Sequence, residues 1–201
     1  MSADKAALRR VARNRRDRIP DRQRTEDSDR IRRRVLELPE LNDASRVFVY
    51  ASQGGEVETY TLIEDLLALH KSVAVPRIED PGSGTMRAVP IRSLKQLAPR
   101  AVHFGLLEPA ADAAAWGVDA ADDARTLVVM PALAVSPVTG HRLGTGGGYY
   151  DRYLAEHPGI STAVLAFDEQ LVDEIPDEPY DQPVQLILTP TRVVRIAIAG
   201  E

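Results

Sequence analysis

The sequence predicts an α/β fold, a single domain with a mainly parallel central sheet flanked by helices, and three observations predict it. Short apolar strands alternate with helix-length segments along most of the chain. Several of those strands are continuously apolar, as strands covered on both faces must be. The chain has 201 residues, enough for one domain to bury a sizeable core without a disulfide or metal staple.

Residues 4–18 read as a helix, because Leu8, Val11 and Ala12, with Ile19 beyond, recur at helical spacing. Pro20 stops it, and Asp21 is placed to cap a second helix over 22–37 with Ile31, Val35 and Leu36 inward. Residues 1–37 thus form a basic pair of N-terminal helices. Arg46–Tyr50 reads as a strand. Thr59 caps a helix carrying Leu62, Ile63, Leu66, Leu67 and Leu69. Ser72–Pro76 and Met86–Ile91 read as strands, with Pro81-Gly82-Ser83-Gly84 a turn or mobile loop between them. The Ala-rich stretch 110–124 is broken by acids and Gly117 and reads as a loop that Trp116 anchors. Leu127–Met130 is a strongly apolar strand, Gly147–His157 a helix and Thr162–Phe167 a strand. Late strands lie near Val184–Leu188 and Val193–Ala199, the second in a C-terminal extension, 191–201.

Composition excludes several classes. With 44% hydrophobic and 27% charged residues, the chain is neither wholly disordered nor fibrous. The absence of cysteine excludes a disulfide scaffold, a thiolate zinc site, an iron–sulfur cluster and a cysteine nucleophile. His70, His103, His141 and His157 form no close pair at zinc spacing, so no zinc is expected. No run approaches the ~18 apolar residues of a membrane span. The early charges Asp4, Lys5, Arg9 and Arg10 are unlike a secretory leader, and the acids that follow are unlike a transit peptide. The expectation is a cytoplasmic protein with no membrane partner. No exposed apolar stripe stands out, so a monomer is expected.

The net charge of -5 hides a split, since residues 1–35 carry +7 and the remainder -12. A basic arm invites a nucleic-acid reading. No aromatic residue is interleaved with these cations and the body is acidic, so no nucleic-acid partner is expected. A solvated helical face, or contact with one small anion, accounts for the arm equally well.

The strongest signal is the segment from Gly140 to Leu154, with Gly144-Thr145-Gly146-Gly147-Gly148-Tyr149-Tyr150-Asp151 opening into a helix. Glycines let the backbone approach an anion, and exposed N–H groups with the helix dipole favour phosphate. Arg142 adds a planar cationic fork. The loop lacks the Gly-Lys-Ser/Thr of a Walker motif and the spacing of a dinucleotide fingerprint. Asp151 is suited either to hold magnesium beside phosphates or simply to complement the helix dipole.

Gly140–Leu154 closely resembles the signature of the 5-formyltetrahydrofolate cyclo-ligase family, in which Arg-Leu-Gly, a glycine loop and Gly-Tyr-Tyr-Asp follow one another. Other segments resemble that family in order: Lys5 with Leu8-Arg9, Gly55-Glu56-Val57-Glu58-Thr59, Val75-Pro76-Arg77, Phe104–Pro109, Leu165-Ala166-Phe167 with Gln170, and Pro179-Tyr180-Asp181. The resemblance implies a fold like that of ribose isomerases and CoA transferases. It also implies an ATP- and Mg2+-dependent closure of 5-formyltetrahydrofolate to 5,10-methenyltetrahydrofolate. The formyl oxygen is phosphorylated, the nitrogen at position 10 attacks, and phosphate leaves. Phosphoryl transfer asks mainly for positioning and charge stabilisation, which suits a chain with no evident covalent nucleophile.

Carried over by that resemblance, Lys5 and Arg9 meet ATP phosphates, and Arg142, Gly144, Thr145, Gly146, Gly147, Gly148, Tyr149 and Tyr150 form the phosphate loop. Asp151 binds magnesium with Asp181 as its later partner. Glu56 contacts the folate, Tyr149 and Tyr150 line the shared pocket, and Arg142, Tyr150 and Asp151 form the catalytic set. Arg77 fits either the site or a structural ion pair. The partners implied are a folate and ATP. The chain departs from the family pattern at Ser136-Pro137, Thr145, Gly147, Tyr180 and Gln185. The alternatives are a folate- or nucleotide-binding relative without turnover, or an ATP-dependent ligase acting on a related formylated substrate.

Overall fold

Helices α1 (Ala3–Arg16), α2 (Asp21–Leu36) and α3 (Pro39–Asp43) precede the first strand, β1 (Arg46–Val49), in the computed structural model, which describes residues 3–99, 106–117 and 123–197. Helix α4 (Tyr60–Ala68) leads to β2 (Ser72–Asp80), which turns back as β3 (Thr85–Ile91). The two-residue strands β4 (Ala98–Pro99) and β5 (Leu107–Glu108) pair apart from the main sheet. After β6 (Thr126–Pro131), β7 (Ala134–Val135) and β8 (Arg142–Leu143) form a second small ladder. Helix α5 (Tyr149–Glu156) and strands β9 (Ser161–Leu165), β10 (Leu186–Leu188) and β11 (Val193–Arg195) follow.

Seven strands form one sheet in the order β11-β10-β9-β6-β1-β2-β3. The five inner strands are parallel to their inner neighbours, as the alternation predicts. The two edges are antiparallel, because their connections are hairpins too short for a crossover. Val47, Phe48 and Val49 of β1 and Leu127–Met130 of β6 are completely buried, so each faces apolar neighbours on either side of the sheet. Burying one such side chain contributes about 1.5–3 kcal/mol. From β1 the chain moves to one side for β2 and β3 and then crosses to the other for β6. The carboxyl ends of β1 and β6 therefore flank a switch point, where open α/β sheets form a ligand crevice.

Several details differ from the sequence reading. Asp21 does not cap α2; Pro20 occupies the cap position, and Asp21 pairs from the first turn with Arg24 at 2.8 Å. Val11 is 44% exposed, and the inward face of α1 is carried by Lys5, Ala12 and the half-buried Leu8. Thr59 sits at the cap position of α4 but turns its hydroxyl to the Tyr50 carbonyl, 2.7 Å away. Leu69 is 54% exposed because α4 ends before it and His70 takes a left-handed φ of 57°. Trp116 is half-buried; its backbone N–H donates to the Ala88 carbonyl at 2.9 Å and Arg46 covers its ring at 5.1 Å. His103, Phe104 and Gly105 lie outside the described residues, as does the end of the C-terminal extension. No helix among the described residues is long and apolar enough to cross a membrane.

Candidate active site

Strand β8 delivers Arg142 to the crevice, and the chain then passes through Gly144–Gly148 into α5. Gly148 caps α5 with φ 67°, a conformation that side chains disfavour, and a Cβ there would stand 2.7 Å from the Arg152 guanidinium. Arg152 locks this turn by donating to the Gly147 carbonyl at 2.6 Å and the Gly84 carbonyl at 3.2 Å. Gly144 differs, since a Cβ built on it meets none of the described residues within 4 Å. The loop therefore pairs a tightly packed exit with an open entrance.

The charged groups meet in pairs. Arg142 contacts Asp151 at 3.1 Å and donates to the Gln182 carbonyl at 2.9 Å, while the Gln182 N–H donates to Asp151 at 3.1 Å. The Arg142 guanidinium also lies 6.0 Å from the Tyr150 ring centre. Lys5, on α1, reaches Glu178 at 2.7 Å and Asp181 at 2.5 Å. Burial works against its ammonium, but these two carboxylates outweigh that and raise its pKa. Arg9, one turn on, donates to the Gly144 carbonyl at 2.9 Å. Helix α1 is thus tied to the entrance of the loop and to the turn at 178–181.

Glu56 comes from the loop after β1. Its carboxylate accepts from the Gln53 N–H at 2.9 Å, and its own N–H donates to the Gln53 carbonyl at 3.2 Å. Burial pushes its pKa above the usual carboxylate range, against the Gln53 amide and the charge of Arg16, which pull it down. Burial, then the nearby Glu56 charge, pushes the Tyr150 phenol well up. The buried Tyr150 hydroxyl has no hydrogen-bond partner among the described residues, an unmet donor beside the cleft.

Glu56, Arg142, Gly144–Gly148, Tyr149, Tyr150 and Asp151 share the lining of one cleft. Lys5, Arg9 and Asp181 do not share that lining; Arg9 reaches it through the Gly144 carbonyl, while Lys5 and Asp181 pair with each other at the 178–181 turn. Tyr50 and Arg16 line the cleft too, and the sequence reading missed both. The signal for Arg16 was its seven-residue spacing from Arg9, two helical turns along one face. Arg77 is a structural ion pair, buried 3.7 Å from Glu108 and bonded to the Pro109 carbonyl. Two departures from the family pattern have structural roles. The fully buried Ser136 caps its own turn and donates to the Asp173 carbonyl at 2.8 Å, and Gln185 exchanges two hydrogen bonds with Thr162.

A cleft at the switch point, a glycine loop opening into a helix, and cation–carboxylate pairs beside it define an α/β enzyme built to handle an anionic, phosphate-bearing small molecule. The comparisons make the assignment particular: the chain belongs to the 5-formyltetrahydrofolate cyclo-ligase family, whose profile matches residues 1–190. It is 30% identical over 185 residues to the 5-formyltetrahydrofolate cyclo-ligase of Escherichia coli, covering 91% of this chain and 98% of that one. It is 33% identical over 148 residues to the enzyme of the same name from Mycolicibacterium smegmatis, covering 73% and 74%. The fold superposes on the Aquifex aeolicus 5,10-methenyltetrahydrofolate synthetase with a TM-score of 0.81 and 26% identity, over 98% of this chain and 95% of that one. Membership makes the chain a ligase whose reaction depends on a nucleotide.

Proposed function

We propose that this chain converts 5-formyltetrahydrofolate to 5,10-methenyltetrahydrofolate at the expense of ATP, with Mg2+. One observation carries this reading: Glu56 and Tyr150 share a single cleft with Arg142, Asp151 and the glycine loop. ATP supplies the phosphoryl group that makes the formyl oxygen a leaving group, and magnesium neutralises charge on the phosphates.

The protein's own groups divide the remaining work. The open space over Gly144 admits phosphate against backbone, and Arg142 offers it a planar fork. Lys5 and Arg9 bring cations from α1 to the same end. Asp151 and Asp181 are the carboxylates for magnesium. Among the described residues no cluster of three or more His, Asp or Glu is assembled for a metal. This donor set fits magnesium, which keeps waters, takes one or two carboxylates and shares the phosphates. Glu56 accepts from N–H donors of the pterin, with Tyr149 and Tyr150 beside it, and the unpartnered Tyr150 hydroxyl is a donor for a substrate oxygen. The partners on this reading are small molecules only, met by a monomer in the cytoplasm.

The test is an absorbance assay for the methenyl product with 5-formyltetrahydrofolate, ATP and Mg2+, each omitted in turn. Product that requires all three is the expected result. Folded protein that gives no product overturns the proposal, and calorimetry with each ligand alone then shows which part of the site binds.

A further inference from the structure

Resting on this reading of the cleft, we propose that Arg16 is a positioning residue for the carboxylate that reads the folate: it ties the end of α1 to the loop that holds Glu56. Arg16 is the last residue of α1, its side chain is only 13% exposed, and it lines the cleft that Glu56 lines. Asp17 steadies the guanidinium, with Nε and Nη2 donating to one Asp17 oxygen at 3.2 and 3.1 Å. Gly55, immediately before Glu56, makes room for the pair. A Cβ on Gly55 would stand 3.0 Å from Arg16 Nε and 3.1 Å from the Asp17 carboxylate. The guanidinium therefore rests against the backbone of the loop that presents Glu56.

The helix geometry gives this contact its reach. Lys5, Arg9 and Arg16 are separated by four and seven residues, which at 3.6 residues per turn keeps them on one face of α1. Arg9 holds that face to the glycine loop through the Gly144 carbonyl. Arg16 holds the same face to the Glu56 loop. One rigid helix thus connects the end of the cleft suited to nucleotide with the end suited to folate.

The chemistry of Glu56 shows what the contact is for. The phenols of Tyr50 after β1, Tyr60 on α4 and Tyr150 on α5 feel its charge; burial first, and then that charge, raises each, so they stay neutral. The cation whose field reaches it is Arg16. Burial drives Glu56 toward the protonated acid, which would present an O–H to the N–H donors it must accept. The Gln53 amide and, after it, the charge of Arg16 oppose that and favour the acceptor-only carboxylate, whose charge-assisted hydrogen bonds are roughly twice as strong as neutral ones.

The experiment compares wild type, Arg16→Ala and Arg16→Lys by two readouts. Carbon NMR of glutamate-labelled, ligand-free protein, with Glu56→Gln to assign the signal, follows the titration of Glu56 itself. Calorimetry with 5-formyltetrahydrofolate, from pH 5.5 to 8, follows the pocket. In Arg16→Ala the Glu56 titration moves to higher pH, and folate affinity falls about tenfold at neutral pH and further in acid. Arg16→Lys restores most of both. An unchanged Glu56 titration, or a folate loss that is equal at every pH and not restored by lysine, overturns the proposal. Wild type that binds no 5-formyltetrahydrofolate overturns the substrate reading instead, and the carbon titration still decides the role of Arg16.

Discussion

Lys5 and Asp181 sit 2.5 Å apart, 176 residues from each other in the chain, and Arg142 and Asp151 sit 3.1 Å apart beside the glycine loop. Each pair joins a cation suited to phosphate to a carboxylate suited to magnesium. Each cation is therefore neutralised within the chain, Lys5 by Glu178 as well, and on the proposed function phosphate competes with these carboxylates for the two cations. A divalent ion that engages the carboxylates removes the competition. Asp181→Asn should then bind ATP in EDTA about fivefold more tightly than wild type, bind Mg·ATP more weakly and lose turnover. Nucleotide titration with and without Mg2+ checks this, and equal metal-free affinities would count against it. Asp151→Asn should show the same inversion with a larger loss of turnover, because Asp151 lines the cleft itself.

The Tyr150 hydroxyl is buried without a partner among the described residues. Burying a polar group unsatisfied costs about 1–3 kcal/mol. Tyr150→Phe should therefore melt at the same temperature as wild type or a few degrees higher, while turnover falls by about ten- to a hundredfold. Thermal melts and the methenyl assay on one preparation test the combination. A destabilised variant would mean that the phenol serves the fold rather than the ligand.

His157 and Asp123 form a separate buried pair, 2.9 Å apart with side chains 7% and 8% exposed, and Tyr153 stacks on the imidazole at 4.3 Å. The pair anchors the C-terminal end of α5 on the far side from the glycine loop. His157→Ala removes the described partner of the buried Asp123 side chain, and should cost about 2–4 kcal/mol of stability. Denaturant unfolding measures this. Turnover assayed well below the melting temperature should be retained, since neither side chain borders the cleft.

Local pattern carried the elements well where side-chain period alone decides them. The continuous apolar runs at Val47–Val49 and Leu127–Met130 announced inner strands and became β1 and β6. The bounds of β10 and β11 were less legible, because they are set by pairing with neighbours and not by a periodicity of their own. Val11 looked core-facing by spacing, yet the inward face of α1 joins the apolar Leu8 and Ala12 to Lys5 and Arg9, whose partners lie at 178, 181 and 144. The residues now gathered at the cleft through Glu56, Arg142, the glycine loop, Tyr150 and Asp151 were named from the motif. Arg16 was not, because its meaning depends on Gly55 lying against it, a contact between segments 39 residues apart.

Glu56 gives stability and function opposite dependences on pH. Burial raises its folded-state pKa above the ordinary value of 4.5, with Arg16 and the Gln53 amide limiting the rise. A carboxyl with a raised folded pKa holds its proton longer in the folded state than in the unfolded one. Between 4.5 and the raised value the folded state binds more protons, so this group's contribution to stability falls as pH rises through that window. Above the window the penalty for a buried charge is complete. Glu56→Gln should therefore match wild type in stability below about pH 4 and exceed it at pH 7, by the penalty it removes. The same substitution should weaken 5-formyltetrahydrofolate binding at pH 7 by about tenfold or more, because a neutral amide replaces the charged acceptor. Urea unfolding at the two pH values, with folate calorimetry at the higher one, tests both halves. A variant that is less stable at pH 7 would show that the hydrogen bond to Gln53 outweighs burial, and that Glu56 holds its loop more than it reads a substrate.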